Sequence, residues 1–385
     1  MYIGELDINT VAQKETLTRT PKLAIVSDQL AGGIGGAESI LFSLYDLYPD
    51  ATTYTTVYNR DIIPDRYKNR DIRASLIQKL PFSDRYYQAY LPLMPFAIEY
   101  MNLQEYDLIF SSHHCVAKGI IPRPDAVHIC YCHSPARYIW DLFWSYSKQR
   151  KYGMFRRLSV FWMLHYLRMW DVTCSDRVDH FLANSSYTAA RIKKFYNRES
   201  EILFPPVNTS KFRYEGSDDY YLIVGRLVSY KGFELALEAF NESGKNLVII
   251  GEGAEYKRLK AKAMQNVKLL GKVSDQELIK HMNNCKAFIF PGIEDFGIVM
   301  AEAQAAGKPV IAINVGGSKD IVINNETGIL FDDQTISSLN DAIKKSESID
   351  WNHHYIEEHA KKFDKSVFIK RLKYILENTD LFKRR

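Results

Sequence analysis

Two carboxylates, Glu294 and Glu302, stand eight residues apart in the run Pro291-Gly292-Ile293-Glu294-Asp295-Phe296-Gly297-Ile298-Val299-Met300-Ala301-Glu302-Ala303. An ionised carboxylate accepts hydrogen bonds from hydroxyls. Between the two, Gly297 lets a ligand approach the backbone closely. The free N–H groups at the helix start, around Phe296 to Ile298, favour an anion. Such a loop suits a molecule with sugar hydroxyls at both ends and phosphates in the middle, which describes a nucleotide sugar. Arg226 and Lys231 flank another helix start, where two cations can hold a pyrophosphate and stabilise a leaving nucleoside diphosphate. His133 ends an apolar run and can contact a sugar hydroxyl or the donor phosphate. His113-His114 is a second candidate pair, but adjacent histidines in an extended segment point apart, which argues against a metal there.

These residues need strands to aim them. Ala287 to Phe290 reads as a strand running into Glu294, and Ile298 to Ala306 as the helix running out, so Glu302 is expected about two turns in, roughly 8 Å or more along the axis. Strands are expected at Tyr221 to Val224, Leu247 to Ile250, Val267 to Leu270 and Val310 to Ile313. Ser274-Asp275-Gln276-Glu277 is a capping box opening a helix. Strands alternating with helices mean a parallel doubly wound sheet. The first half begins the same way, with strands at Leu23 to Val26, Leu108 to Phe110, Val127 to Tyr131 and Phe181 to Ala183, and a helix over Ala37 to Leu47. The paired prolines of Phe204-Pro205-Pro206-Val207-Asn208 mark the break between two domains. The expected organisation is a polar extension over 1–20, a first domain over 21–204, a second over 205–365 and a terminal helix within 366–385. The glycine loop Gly32-Gly33-Ile34-Gly35-Gly36 misses the dinucleotide fingerprint, because Glu38 stands in the third glycine's place.

The chain resembles the retaining glycosyltransferases of family 4, of the GT-B fold, through the E-x7-E segment Glu294 to Glu302. Tyr131-Cys132-His133-Ser134-Pro135, Ala183-Asn184-Ser185, Pro205-Pro206-Val207-Asn208 and Gly225-Arg226-Leu227 with Lys231 look like that family in its order. Glu294 to Gly307 looks most like the bacterial mannosyltransferases that build O-antigen and capsule polysaccharides. The resemblance implies an α/β fold of two Rossmann-like doubly wound parallel-sheet domains facing across a cleft, with the C-terminal helix crossing back to the first. It assigns Arg226 and Lys231 to the diphosphate, Glu294 to hydroxyls of the donor sugar and Glu302 to the ribose. His133 stands beside the transferred sugar, and Phe296, Gly297 and Ile298 present backbone N–H groups to the donor. Gly251 and Val273 line the base pocket, and Gly35 and Gly36 face the cleft on the acceptor or phosphate side. The implied activity is transfer of a hexose, mannose from GDP-mannose, to a lipid-linked glycan. UDP- or dTDP-hexose donors, a GT-B sugar-nucleotide epimerase and a catalytically silent carbohydrate-binding member are the alternatives. No D-x-D triplet occurs anywhere, so no metal and no cofactor is expected.

Composition sets the outer bounds. The 385 residues suit two domains, and 46% apolar residues is a globular proportion. No run of eighteen apolar residues exists, and the first twenty carry no apolar signal-peptide core. Five cysteines without zinc-site spacing imply a reduced cytoplasmic protein. Net charge is +4. Leu142 to Trp170 contains Lys148, Arg150, Lys151, Arg156, Arg157 and Arg168, no acid, and interleaved aromatics. That pattern suits peripheral attachment to an anionic membrane surface at the inner face of the plasma membrane. The competing reading is core aromatics under a solvated charged face. No recognition-module pattern accompanies the patch, which argues against nucleic acid.

Overall fold

The computed structural model describes residues 21–33, 35–141 and 154–378, without the side chains of 154–157 and 378. The extension over 1–20, Ile34, and the cations Lys148, Arg150 and Lys151 therefore lie outside the described residues.

Seven parallel strands form the first sheet: β1 (Leu23–Ser27), β2 (Thr52–Thr55), β3 (Ile72–Ala74), β4 (Leu108–His113), β5 (Val127–Cys132), β6 (His180–Ala183) and β7 (Glu201–Ile202), in the order β3-β2-β1-β4-β5-β6-β7. The second sheet has six: β8 (Tyr221–Val224), β9 (Leu247–Ile250), β10 (Val267–Gly271), β11 (Ala287–Phe290), β12 (Val310–Ile313) and β13 (Gly328–Phe331), in the order β10-β9-β8-β11-β12-β13. All pairings within both sheets are parallel. Helices must then cover both faces, which explains why β9, β11 and β12 are buried throughout and read as unbroken apolar runs.

Four strands escape the sequence reading. The strand β2 is Thr-Thr-Tyr-Thr, buried along its length but without an aliphatic run. The others, β3, β7 and β13, are edge strands of two to four residues.

The strand order reverses between β1 and β4 in the first sheet and between β8 and β11 in the second. Crevices outside the carboxyl ends of strands at such switch points are where open α/β sheets bind ligands. The chain passes between the sheets twice, and the crossings pair: Val207 N donates to Phe363 O at 3.0 Å and Lys365 N to Val207 O at 2.8 Å. Beyond the second crossing the helix Lys365–Asn378 lays Phe368, Leu372, Ile375 and Leu376 into the first sheet's core, beside Leu44, Phe110 and Ile129. Each buried side chain of this size stabilises the docked helix by about 1.5–3 kcal/mol.

Candidate active site

The second sheet's switch point gathers the cations and the first glutamate. Past β8 the chain makes a short turn, Ser229–Lys231, before the helix Phe233–Ser243. Past β11 it runs through Pro291 and Gly292 to Glu294. A Cβ on Gly292 would stand 2.6 Å from the Lys231 carbonyl oxygen, so only glycine lets these two loops touch. That approach sets Lys231 Nζ 2.6 Å from Glu294 Oε1, both side chains largely shielded. Gly317 N donates to the Glu294 carbonyl at 3.0 Å, fixing the loop from β12's side. Arg226 is exposed on the same turn and donates to the Tyr230 hydroxyl at 3.2 Å.

Gly297 sits at φ +89° at the N-cap of the helix Ile298–Ala305, and no side chain caps that helix. By contrast, Asp275–Asn284 has the expected capping box, with Ser274 and Glu277 serving each other's backbone. The uncapped end leaves its dipole facing the crevice. Phe296 is buried against Phe204 and Phe363, ring centroids 5.7 and 5.4 Å away, so the loop rests on the two crossing segments. The helix begins at Ile298 as expected, but Glu302 is its fifth residue and so lies a little over one turn in rather than two, at 3.6 residues per turn. Burial pushes its carboxyl up to about 7, against the opposing pull of Lys211. Gly251 and Val273 follow β9 and β10 on this same carboxyl edge, and Val273 packs on the second core.

The first sheet supplies the other wall. His133 follows β5, and its Nε2 lies 2.8 Å from Ser112 Oγ. Burial, with His114 nearby, lowers its pKa to about 3 despite Asp28, so the ring is neutral at physiological pH. Asn184 Nδ2 donates to the His133 carbonyl at 2.9 Å, which explains why the Ala183-Asn184-Ser185 motif matters. Gly35 and Gly36 start the helix Gly36–Leu47, and a Cβ on Gly36 would stand 2.8 Å from Ile298 Cδ1. The glycine loop thus lies directly on the residue that opens the second domain's uncapped helix.

Asp28, directly after β1, escapes the sequence reading although an acid at a strand's carboxyl end is a visible signal. It is fully buried and accepts from the backbone N–H groups of His114, Cys115, Val116 and Ala117. Burial would raise its pKa, but His114 and His113 hold it far below the carboxylate range. The histidine pair does not splay as an extended segment would. His114 Nδ1 lies 2.9 Å and His113 Nδ1 4.0 Å from the Asp28 carboxylate, because the strand ends at His113 and the chain bends. Also unforeseen are Arg191, Arg137 and Asp295, which meet across the two domains. Among the described residues no group of three or more His, Cys, Asp or Glu side chains could hold a metal ion.

Residues 34–211 match the model of Glycosyltransferase Family 4, and residues 208–363 that of the Glycosyl transferases group 1. The chain is a member of glycosyltransferase family 4. A GDP-mannose-dependent alpha-(1-6)-phosphatidylinositol monomannoside mannosyltransferase of Mycobacterium tuberculosis is 30% identical to this family 4 chain over 201 residues, 44% of this chain and 52% of that protein. An uncharacterized glycosyltransferase of Methanocaldococcus jannaschii is 29% identical over 183 residues, 46% of this chain and 51% of its own. The chain spans about half the length of these curated relatives. In fold it is similar to Anabaena HepE, solved in complex with UDP and glucose (TM-score 0.67, 15% identity, 93% of this chain and 100% of that one). It is similar too to a sucrose-phosphate synthase of Thermosynechococcus elongatus (TM-score 0.69, 17% identity, 94% and 99%). The fold of this family 4 member is GT-B.

Proposed function

We propose that the chain is a retaining hexosyltransferase that moves mannose from GDP-mannose to a hydroxyl of a lipid-linked oligosaccharide, without a metal ion. The observation that carries this reading is the Lys231–Glu294 pair, 2.6 Å apart at the second sheet's switch point beside an uncapped helix N-terminus. Lys231 and Glu294 neutralise each other there. An arriving diphosphate offers Lys231 a partner of higher charge, shared with Arg226 and the helix end. Glu294 is then released to accept hydroxyls of the sugar. Glu302 takes the ribose hydroxyls, Gly251 and Val273 the base, and Gly35 and Gly36 close over the phosphates.

In the transfer, the bond from the anomeric carbon to the diphosphate oxygen breaks, and its electron pair leaves with the nucleoside diphosphate. Arg226, Lys231 and the helix N-terminus stabilise that charge. The acceptor oxygen bonds the anomeric carbon on the face of departure, and its proton passes to the leaving phosphate oxygen. His133, neutral and bonded to Ser112, serves as a hydrogen-bonding partner of the sugar rather than an acid. Mannose is supported by the 30%-identical mannosyltransferase relative of Mycobacterium tuberculosis.

A lipid-linked acceptor is met at a bilayer surface. No described helix is long and apolar enough to cross one. Yet the helix Met154–Thr173 exposes Leu158, Phe161, Trp162, Tyr166 and Met169 with no acid among them. Elsewhere on the same domain Phe82, Tyr86, Phe96 and Tyr100 are exposed too. These exposed apolar and aromatic side chains on the acceptor domain support peripheral attachment. Incubation with radiolabelled GDP-mannose, UDP-hexoses and a lipid-linked acceptor tests the proposal. Mannosyl transfer is the expected outcome; an epimerised donor, or no product from any donor, overturns it.

A further inference from the structure

We infer that Asp295, Arg191 and Arg137 form a clamp between the domains that positions Glu294 for transfer, so that its loss lowers turnover while leaving nucleotide binding intact. The inference rests on the proposed transfer reaction. Asp295 projects from the second domain into a socket of the first. Arg191 Nη1 reaches Asp295 Oδ1 at 2.7 Å, Ser134 Oγ donates to the same oxygen at 3.2 Å, and Arg137 Nη1 lies 3.8 Å from Oδ2. Arg137 also donates to the Ile293 carbonyl at 3.4 Å. Within the socket Arg191 Nη2 holds Asp141 Oδ1 at 2.7 Å and the Pro135 carbonyl at 3.2 Å. Arg191 is 7% exposed and Asp295 17%.

Charge explains why the parts must meet. The socket brings two arginines and one aspartate, Asp141, an excess of one positive charge. Asp295 of the other domain balances it. Charges this shielded are costly to leave unpaired, so the domains are held at one separation. A second contact agrees: Ser186 N, at the start of the helix Ser186–Tyr196 that carries Arg191, donates to Asp320 Oδ2 of the second domain at 2.8 Å.

Position in the chain explains why the clamp bears on the chemistry. Asp295 directly follows Glu294, and Phe296 rests on the crossing segments through Phe204 and Phe363. Ser134 directly follows His133. The clamp therefore ties the residue after the donor-side carboxylate to the residue after the acceptor-side histidine. Arg226, Lys231, Glu302, Gly251 and Val273 stand on the second domain, so most of the nucleotide's proposed partners need no clamp, and only Gly35 and Gly36 come from the first.

The test compares Asp295→Asn, Arg191→Gln and the double variant with the wild type. GDP and UDP affinity is measured by calorimetry, turnover and donor KM by transfer assay, and the radius of gyration by small-angle scattering. We expect kcat about 100-fold lower in each variant, as for a misplacement near 1 Å. GDP affinity should stay within about twofold, and the double variant should lose less than the product of the two single losses, because both singles lose the shared Arg191–Asp295 bond. The radius of gyration should rise. Ser134→Ala, a milder change, should fall between wild type and Asp295→Asn in turnover. Wild-type kcat in Asp295→Asn, or nucleotide affinity falling in step with kcat, overturns the clamp. If the wild type transfers no sugar at all, the transfer reading fails, and unchanged scattering of Asp295→Asn then overturns the clamp independently.

Discussion

Replacing either end of the Lys231–Glu294 pair should cripple transfer, yet only the lysine change should weaken nucleoside diphosphate binding. Lys231 Nζ and Glu294 Oε1 are 2.6 Å apart, with 15% and 20% of the two side chains exposed. For so shielded a pair the Coulomb gain is mostly offset by lost hydration, leaving about 1 kcal/mol net. Lys231→Ala removes the cation that receives the diphosphate. A hydrogen bond to a charged group contributes about 1.5–3 kcal/mol, so the Kd for GDP should rise roughly 10- to 100-fold. Glu294→Ala removes the group that competes for Lys231. Binding no longer has to break a pair worth about 1 kcal/mol, so the Kd should stay level or fall by up to about fivefold. Turnover should collapse in both. Lys231→Ala loses about 2.7–4 kcal/mol of charge stabilisation, or 10²- to 10³-fold in kcat. Glu294→Ala loses the orientation of the sugar, on the order of a hundredfold. Lys231→Ala also leaves Glu294 unpaired, so its Tm should drop by about 2–4 °C for the 1 kcal/mol lost. Calorimetric titration of GDP into each variant, beside a radiolabelled transfer assay, reads all of this. If Glu294→Ala weakens GDP binding as much as Lys231→Ala does, the shared-lysine reasoning is refuted.

The other predictions are independent of that pair. In a thermal-shift screen GDP should stabilise the protein more than UDP or dTDP, because a ligand of the folded state raises stability by mass action; an equal or larger UDP shift removes the mannose assignment. Glu302 titrates near 7 in the folded chain against an ordinary 4.5, because of burial. The folded state then holds the proton more tightly, so this group's contribution falls as pH rises from about 4.5 to 7, by about 3 kcal/mol at full effect. Glu302→Gln should therefore gain stability relative to wild type on going from pH 5 to pH 8, and parallel melting curves at both would contradict this. EDTA should leave transfer intact, and a loss restored by Mg²⁺ or Mn²⁺ would overturn the metal-independent proposal. Trp162→Glu should reduce co-sedimentation with anionic liposomes at low salt without lowering Tm, since Trp162 is 67% exposed. A wild type that fails to co-sediment ends the membrane reading.

The sequence by itself determined the fold class and which loop residues share one sheet edge, for a local reason. In a parallel sheet covered on both faces, a strand is an unbroken apolar run, and Tyr221–Val224, Leu247–Ile250, Ala287–Phe290 and Val310–Ile313 were legible to the residue. The loop after each run belongs to one edge of the sheet, so Arg226, Lys231, Glu294 and Gly297 could be placed together from spacing alone. Strands that broke the pattern were not legible. The buried strand β2 is threonine-rich, and β13 is only Gly-Ile-Leu-Phe. Contacts between distant segments had no local signature. Asp28 meets His114 across 86 residues, Arg191 meets Asp295 across 104, and Lys118 is buried whole against Asp171. A charged side chain reads as solvated until the fold supplies its partner, because burial of a charge is tolerable only with an opposite charge at hydrogen-bonding distance. Which charges cross the cleft, and so how the first domain is held against the Glu294 loop, was decided by the tertiary structure alone.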